Sequence, residues 1–133
     1  MSDDKNVLDL DKIIELCEKA IQENPDNATA QHDLGVALFQ KQDVDGALEH
    51  LAKAAELAPK SVLTHYVLGV AQAEKMQFDE AIASWKRVLE LDKPNKHKLN
   101  GMAHYFIGKV YGLKGMWDAA RMELLRNFCP DNR

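Results

Sequence analysis

The chain contains four prolines, at positions 25, 59, 94 and 130, so successive prolines stand 34, 35 and 36 residues apart. Proline lacks the backbone N–H and its ring clashes with the preceding turn, so it falls where a helix starts or stops. A breaker recurring at near-even intervals in the thirties marks a chain built from one supersecondary unit repeated. No such unit buries its apolar face alone, and each needs its neighbours.

The segments between the prolines align on glycine: "AQHDLGVALFQKQDVDGALEHLAKAAELAP" with "LTHYVLGVAQAEKMQFDEAIASWKRVLELDKP" and "MAHYFIGKVYGLKGMWDAARMELLRNFCP". The matched positions are Leu34-Gly35, Leu68-Gly69 and Ile107-Gly108, then Lys41, Lys75 and Lys114, then Val44-Asp45, Phe78-Asp79 and Trp117-Asp118, then Ala47, Ala81 and Ala120. Within the first segment, Ala30, Leu34, Ala37, Leu38 and Phe39 recur at helical spacing, as do Ala47, Leu48, Leu51, Ala54, Ala55 and Leu57 after the break at "QDVD". Each repeat is therefore expected to be a pair of antiparallel helices. Gly35 and Ala47 are expected where two backbones cross closely, since glycine inside a helix costs about 0.5–1 kcal/mol and needs a packing reason. Asp43 is placed to cap a second helix, and the lysine ending each first helix opposes the negative end of its dipole. Upstream, Ile13, Leu16, Cys17, Ala20 and Ile21 share one helical face. Counting back one repeat makes this stretch a second helix without its first, covering the apolar flank of the first complete pair.

These residues resemble the tetratricopeptide repeat family. The small residue lies at repeat position 8, a hydrophobe at 17, alanine at 20, a large apolar residue at 24 (Leu51, Trp85, Leu124) and proline near 32. The resemblance implies an all-α fold, a right-handed α-solenoid of antiparallel helix pairs forming one domain over residues 1–133. Its parts would be a capping helix at 9–24 and three repeats at 28–61, 62–95 and 101–132. The third departs from the rhythm, because extra residues fall in "DKPNKHKLNG", a basic stretch in an acidic protein. Lys93, Lys96, His97 and Lys98 either meet an acidic partner or form a solvated longer turn or helix extension.

Composition narrows the function. With 133 residues, 29% of them charged, and a net charge of −4, the chain is a poor nucleic-acid binder, and none is expected as a partner. No apolar run approaches the roughly 18 residues that span a bilayer and no secretory leader is visible, so a cytoplasmic protein without membrane insertion is expected. Cys17 and Cys129 form neither a CxxC nor a histidine-flanked cluster, and both are expected as reduced structural thiols. The chain has no GxxxxGKS/T, GxSxG or HExxH, and no enzyme, metal or cofactor is expected. His65 and His104 share one repeat position; with no carboxylate or thiol at matching positions they are expected to pack partly buried rather than hold a metal.

A binding surface remains. In the family that this sequence resembles, first helices line a concave groove, and the corresponding positions carry His32, Asp33, Val36 and Phe39, then Leu63, Tyr66, Val67 and Val70, then Met102, Tyr105, Phe106 and Lys109. His32, Tyr66 and Tyr105 would form a ladder of one ring per repeat. Heat-shock co-chaperones of this type grip a peptide carboxylate with lysine, asparagine and arginine. Here His32, Val36, Val67, Met102 and Phe106 take those places, so that clamp is absent. The resemblance thus implies a non-enzymatic scaffold, assembly factor or chaperone-like protein, whose apolar, aromatic groove takes a partner protein's peptide or amphipathic helix. The alternative is a self-assembling homo-oligomer that stacks through Met122, Leu125 and Phe128 on an uncapped last helix.

Overall fold

The computed structural model describes residues 9–93, 95–113, 115 and 117–128, with the side chains of 117–120 and 127–128 excluded. Pro94, Lys114, Cys129 and Pro130, and the side chains of Trp117, Asp118, Ala120 and Phe128, therefore lie outside the described residues. Among those described, all regular structure is helical: α1 (Leu10–Glu23), α2 (Ala28–Gln40), α3 (Val44–Leu57), α4 (Val62–Glu74), α5 (Phe78–Leu91), α6 (Asn100–Leu113) and α7 (Trp117–Phe128). The chain divides into two compact units, Met1–Pro59 with α1 to α3 and Lys60–Arg133 with α4 to α7.

Short polar residues start most of these helices. Asp9 accepts from the Lys12 amide at 3.2 Å, Asn27 from Ala30 at 3.0 Å, Asp43 from Gly46 at 3.0 Å and Ser61 from Thr64 at 3.4 Å. Each satisfies a first-turn N–H that has no partner within its helix. The "NPDN" stretch is thus a complete connector. Asn24 Oδ1 accepts from the Asp26 amide at 3.1 Å, the Pro25 carbonyl accepts from the Gln31 side chain at 3.1 Å, and Asn27 opens α2.

The turns inside the first two repeats share one backbone device. After α2, the amide of Gln42 donates to Phe39 O and that of Asp43 to Leu38 O, both at 2.9 Å. After α4, Met76 donates to Ala73 O and Gln77 to Gln72 O, again at 2.9 Å. This double bond pattern is the Schellman motif, which needs a left-handed residue just past the helix. Gln42 (φ 71°) and Met76 (φ 62°) fill that position, whereas the third repeat uses Gly115 (φ 80°).

Polar and steric pairings show the helices of a repeat to be antiparallel. In the first, Gln31 meets His50 and Gly35 faces the Ala47 carbonyl; in the second, Tyr66 meets Trp85 and Gln72 meets Ser84, so partners fall along the second helix as they rise along the first. Gly35 and Gly69 are small for a more particular reason than the crossing of two backbones. A Cβ on Gly35 would lie 2.6 Å from Leu51 Cγ, and one on Gly69 would lie 2.5 Å from Trp85 Nε1. The notch accommodates the large apolar side chain of the second helix; at Gly35 the facing backbone oxygen, Ala47 O, is farther, at 3.3 Å.

In the first unit Leu34, Ala37, Ala47, Leu51 and Ala54 are buried between α2 and α3. Among the described residues, helix α1 has no fully buried residue, and Leu16 is 57% exposed. Lys41 is the residue that ends α2, its backbone N–H donating to carbonyls of the last turn, and its ammonium reaches Asp11 Oδ1 of α1 at 2.7 Å. In the second unit Val62, Ala81, Ile82, Trp85, Val88, Ala103, Ile107 and Val110 form one core joining α4, α5 and α6.

Candidate functional site

The helical period decides which first-helix residues reach the surface. In α4, Val62, Leu68, Gly69 and Ala71 face inward, which leaves Leu63 49% exposed and Tyr66, Val67 and Val70 half-buried. In α6, Ala103, Ile107, Gly108 and Val110 are buried, leaving Met102 (44%), Tyr105 (39%) and Lys109 exposed and Phe106 half-buried. In the first unit, Asp33 of α2 is exposed and His32, Val36 and Phe39 are half-buried.

Within the second unit these residues converge on Phe106. Its ring stacks on Trp85 with centroids 5.2 Å apart and planes 25° apart, and lies tilted at 6.2 Å from Tyr66 and 5.6 Å from Tyr105. One face of Phe106 therefore serves the core, while its edges join the two tyrosines into an aromatic strip running from α4 to α6. Tyr66 and Tyr105 are linked through this ring, an arrangement the expected one-ring-per-repeat ladder did not contain. The Trp85 Nε1–H donates to the Tyr66 carbonyl at 3.3 Å and fixes the indole beneath the strip. Burial pushes the Tyr66 phenol above its usual pKa, so it remains a hydrogen-bonding hydroxyl near neutral pH. The Lys109 ammonium sits 5.6 Å from the Tyr105 ring centre, a cation–π distance.

The histidines take polar partners. His104 Nδ1 lies 2.7 Å from Glu123 Oε1, and Arg126 donates to the other carboxylate oxygen at 2.7 Å. Sequence reasoning missed this carboxylate. Glu123 stands 19 residues after His104, the separation that also places His50 Nδ1 2.8 Å from Gln31 Oε1 in the first repeat. That recurring interval was the available signal. Among the described residues no group of three or more His, Cys, Asp or Glu side chains is gathered as a metal site would require. Burial, with Asp33 and Glu18 nearby, pushes the Cys17 thiol above its usual pKa, away from thiolate reactivity.

The basic stretch after α5 is a turn held by one carboxylate and does not extend the helix. Asp92, 2% exposed, accepts from the Lys96 amide at 3.0 Å and the His97 amide at 2.9 Å. Burial acts to raise its pKa, but those amides and the His97 ring outweigh it and hold the carboxyl below the ordinary aspartate value. Lys93, Lys96, His97 and Lys98 are left exposed. On α7, Met122 (54%) and Leu125 (50%) are exposed, while the Phe128 side chain lies outside the described residues.

The tetratricopeptide repeat family model matches residues 9–61. Among solved structures, MamA MSR-1 shares 34% sequence identity with a TM-score of 0.77, over 90% of this chain and 66% of that one. MamA AMB-1 shares 33% with a TM-score of 0.78, over 89% and 67%. The chain belongs to the tetratricopeptide repeat family. A further MamA crystal structure, 25% identical over 90% of this chain and 67% of that one, superposes with a TM-score of 0.82. The chain thus spans about two thirds of the length of these structures. Comparison with curated proteins by sequence gives no match. Helix pairs of this family place the chain in the α-solenoid fold class and make it a protein-interaction scaffold in general terms. Among the described residues no helix is long and apolar enough to cross a membrane.

Proposed function

We propose that the protein is a non-enzymatic cytoplasmic adaptor that holds a partner's peptide or amphipathic helix against the outward side of its first helices, in the manner of an assembly factor or chaperone-like scaffold. The second unit carries the principal site. The observation behind this reading is the strip Tyr66, Phe106 and Tyr105, flanked by exposed Leu63 and Met102. Large rings with a polar tip, set on rigid helices, provide contact area at little cost in side-chain entropy. In the first unit, His32, Asp33, Val36 and Phe39 would form a more polar binding stretch of that unit's own first helix.

Affinity capture with wild type and a Leu63→Ser, Met102→Ser, Tyr105→Ala triple variant tests it. These side chains are exposed, so the unfolding midpoint should change little while the captured partner is lost. Capture in undiminished amount would place the partner elsewhere. Self-association is the second reading, favoured by the exposure of Met122 and Leu125. Sedimentation across concentrations tests that: a monomer at every concentration would remove it.

A further inference from the structure

The two units differ sharply in charge. Residues 1–59 hold 13 Asp and Glu against 5 Lys and Arg, a net of −8, whereas residues 60–133 hold 8 against 12, a net of +4. An acidic protein therefore carries a locally cationic half, and part of that charge is gathered on one face. Ala83, Lys86, Arg87 and Glu90 follow the 3–4 spacing of a helix side, and with Leu89 and Lys93 they line an open depression of about 600 Å³ on α5. Ala83 and Leu89 give it apolar surface, and Lys86, Arg87 and Lys93 surround that surface with cations. Among the described residues Glu90 is the one carboxylate in the lining, and Arg87 already engages it at 2.7 Å. Lys86 packs its ammonium 5.8 Å from the Tyr111 ring centre, which restrains where that charge points. Lys93 is shared with the turn in which buried Asp92 holds the backbone of Lys96 and His97, so the cationic surface continues into a structured segment.

We propose that this outer face of α5 is a docking surface for an acidic peptide segment of another protein, with one apolar side chain seated over Ala83 and Leu89 and carboxylates meeting Lys86, Arg87 and Lys93. The charge selects the partner: a neutral apolar helix would strand these cations without counter-charge, and a basic one would be repelled. The inference is independent of the aromatic strip, because it involves neither the strip's residues nor its chemistry. A scaffold with both would bridge two partners of unlike character.

The test uses the full chain and three labelled peptides of 15 residues or so: one rich in Glu and Asp with a central Leu-Leu pair, one with that pair replaced by Ser, and one with every carboxylate replaced by Lys. Fluorescence anisotropy should show binding of the first, weaker binding of the second and none of the third, with affinity falling as salt rises. A Lys86→Glu, Lys93→Glu variant should weaken the first peptide roughly tenfold or more, and Ala83→Glu should do so separately, while Tyr105→Ala leaves it unchanged. Unaltered unfolding midpoints would show that these exposed changes spare the fold. The proposal is overturned if the acidic peptide fails to bind at low salt, if charge reversal leaves its affinity intact, or if Tyr105→Ala abolishes binding instead. It is equally overturned if vesicles of anionic phospholipid, or a second copy of the chain detected by sedimentation, take the surface in a Lys86-dependent way and the peptide does not.

Discussion

The first and second repeats use the same frame and fill it differently. Both end the first helix on a Schellman turn, and both cut a glycine notch in it for one large side chain of the second helix. The first repeat seats Leu51 there and leaves a mixed outward surface around Asp33. The second seats Trp85, whose ring supports Phe106 and through it the tyrosines of α4 and α6. Frame and surface are thus separable in the first repeat, whereas in the second the notch residue also underlies the candidate binding strip.

The comparison breaks most readily at the notch. Trp85→Ala should cost about 3–5 kcal/mol in denaturant unfolding and Leu51→Ala about 2–5 kcal/mol, but only the former should also perturb the near-ultraviolet tyrosine signal. Equal spectroscopic effects would mean that the indole does not organise the strip. Adding to the notch should hurt less: Gly69→Ala should cost about 1–3 kcal/mol, since the new methyl meets an indole fixed by its own hydrogen bond.

The polar pairs sharpen the comparison between the first and third repeats. If Glu123 opposite His104 does for the third repeat what Gln31 does opposite His50, Glu123→Gln should be nearly silent. Glu123→Ala, which leaves the half-buried His104 ring without this partner, should cost about 1 kcal/mol or more. Comparable losses for both would make the charge itself the essential property.

The Asp92 turn has no counterpart in the first repeat, and its effect should depend on pH. Its carboxyl is held below the ordinary value, so the stabilisation is fully present above the unfolded pKa of about 3.9 and is lost as pH falls through the lower folded value. Asp92→Asn should destabilise at neutral pH, and the gap from wild type should narrow below about pH 4. A gap that stays constant well below about pH 4 would contradict the assignment. The smallest effect is a gain: Gln42→Gly and Met76→Gly, at left-handed positions, should each stabilise by about 0.5–1 kcal/mol, net of the added freedom of the unfolded chain.

These cases mark what was legible in the sequence. Proline spacing and the aligned glycines and alanines gave the helix pairs, because repetition supplies several independent readings of one pattern. Asp43 was readable as a cap because capping is local. Contacts between residues 19 or more apart were harder: Glu123 beside His104, and Phe106 on Trp85, depend on which faces meet after the helices pack. The notch at Gly35 was readable as a close approach, and Ala47 O does come near; that the Leu51 side chain comes nearer still was not, since spacing alone does not show which atom arrives. The turn at 92–98 was left open between alternatives because a buried aspartate looks, in sequence, like any other charge.

The central claim is that the first-helix strip binds and the notch folds. It is tested most directly by measuring partner capture and unfolding midpoint on the same preparations of wild type, Tyr105→Ala with Met102→Ser, and Leu51→Ala. The account predicts lost capture at an unchanged midpoint for the first variant, and a lowered midpoint with capture retained below it for the second. Full capture by the Tyr105 and Met102 variant would contradict it.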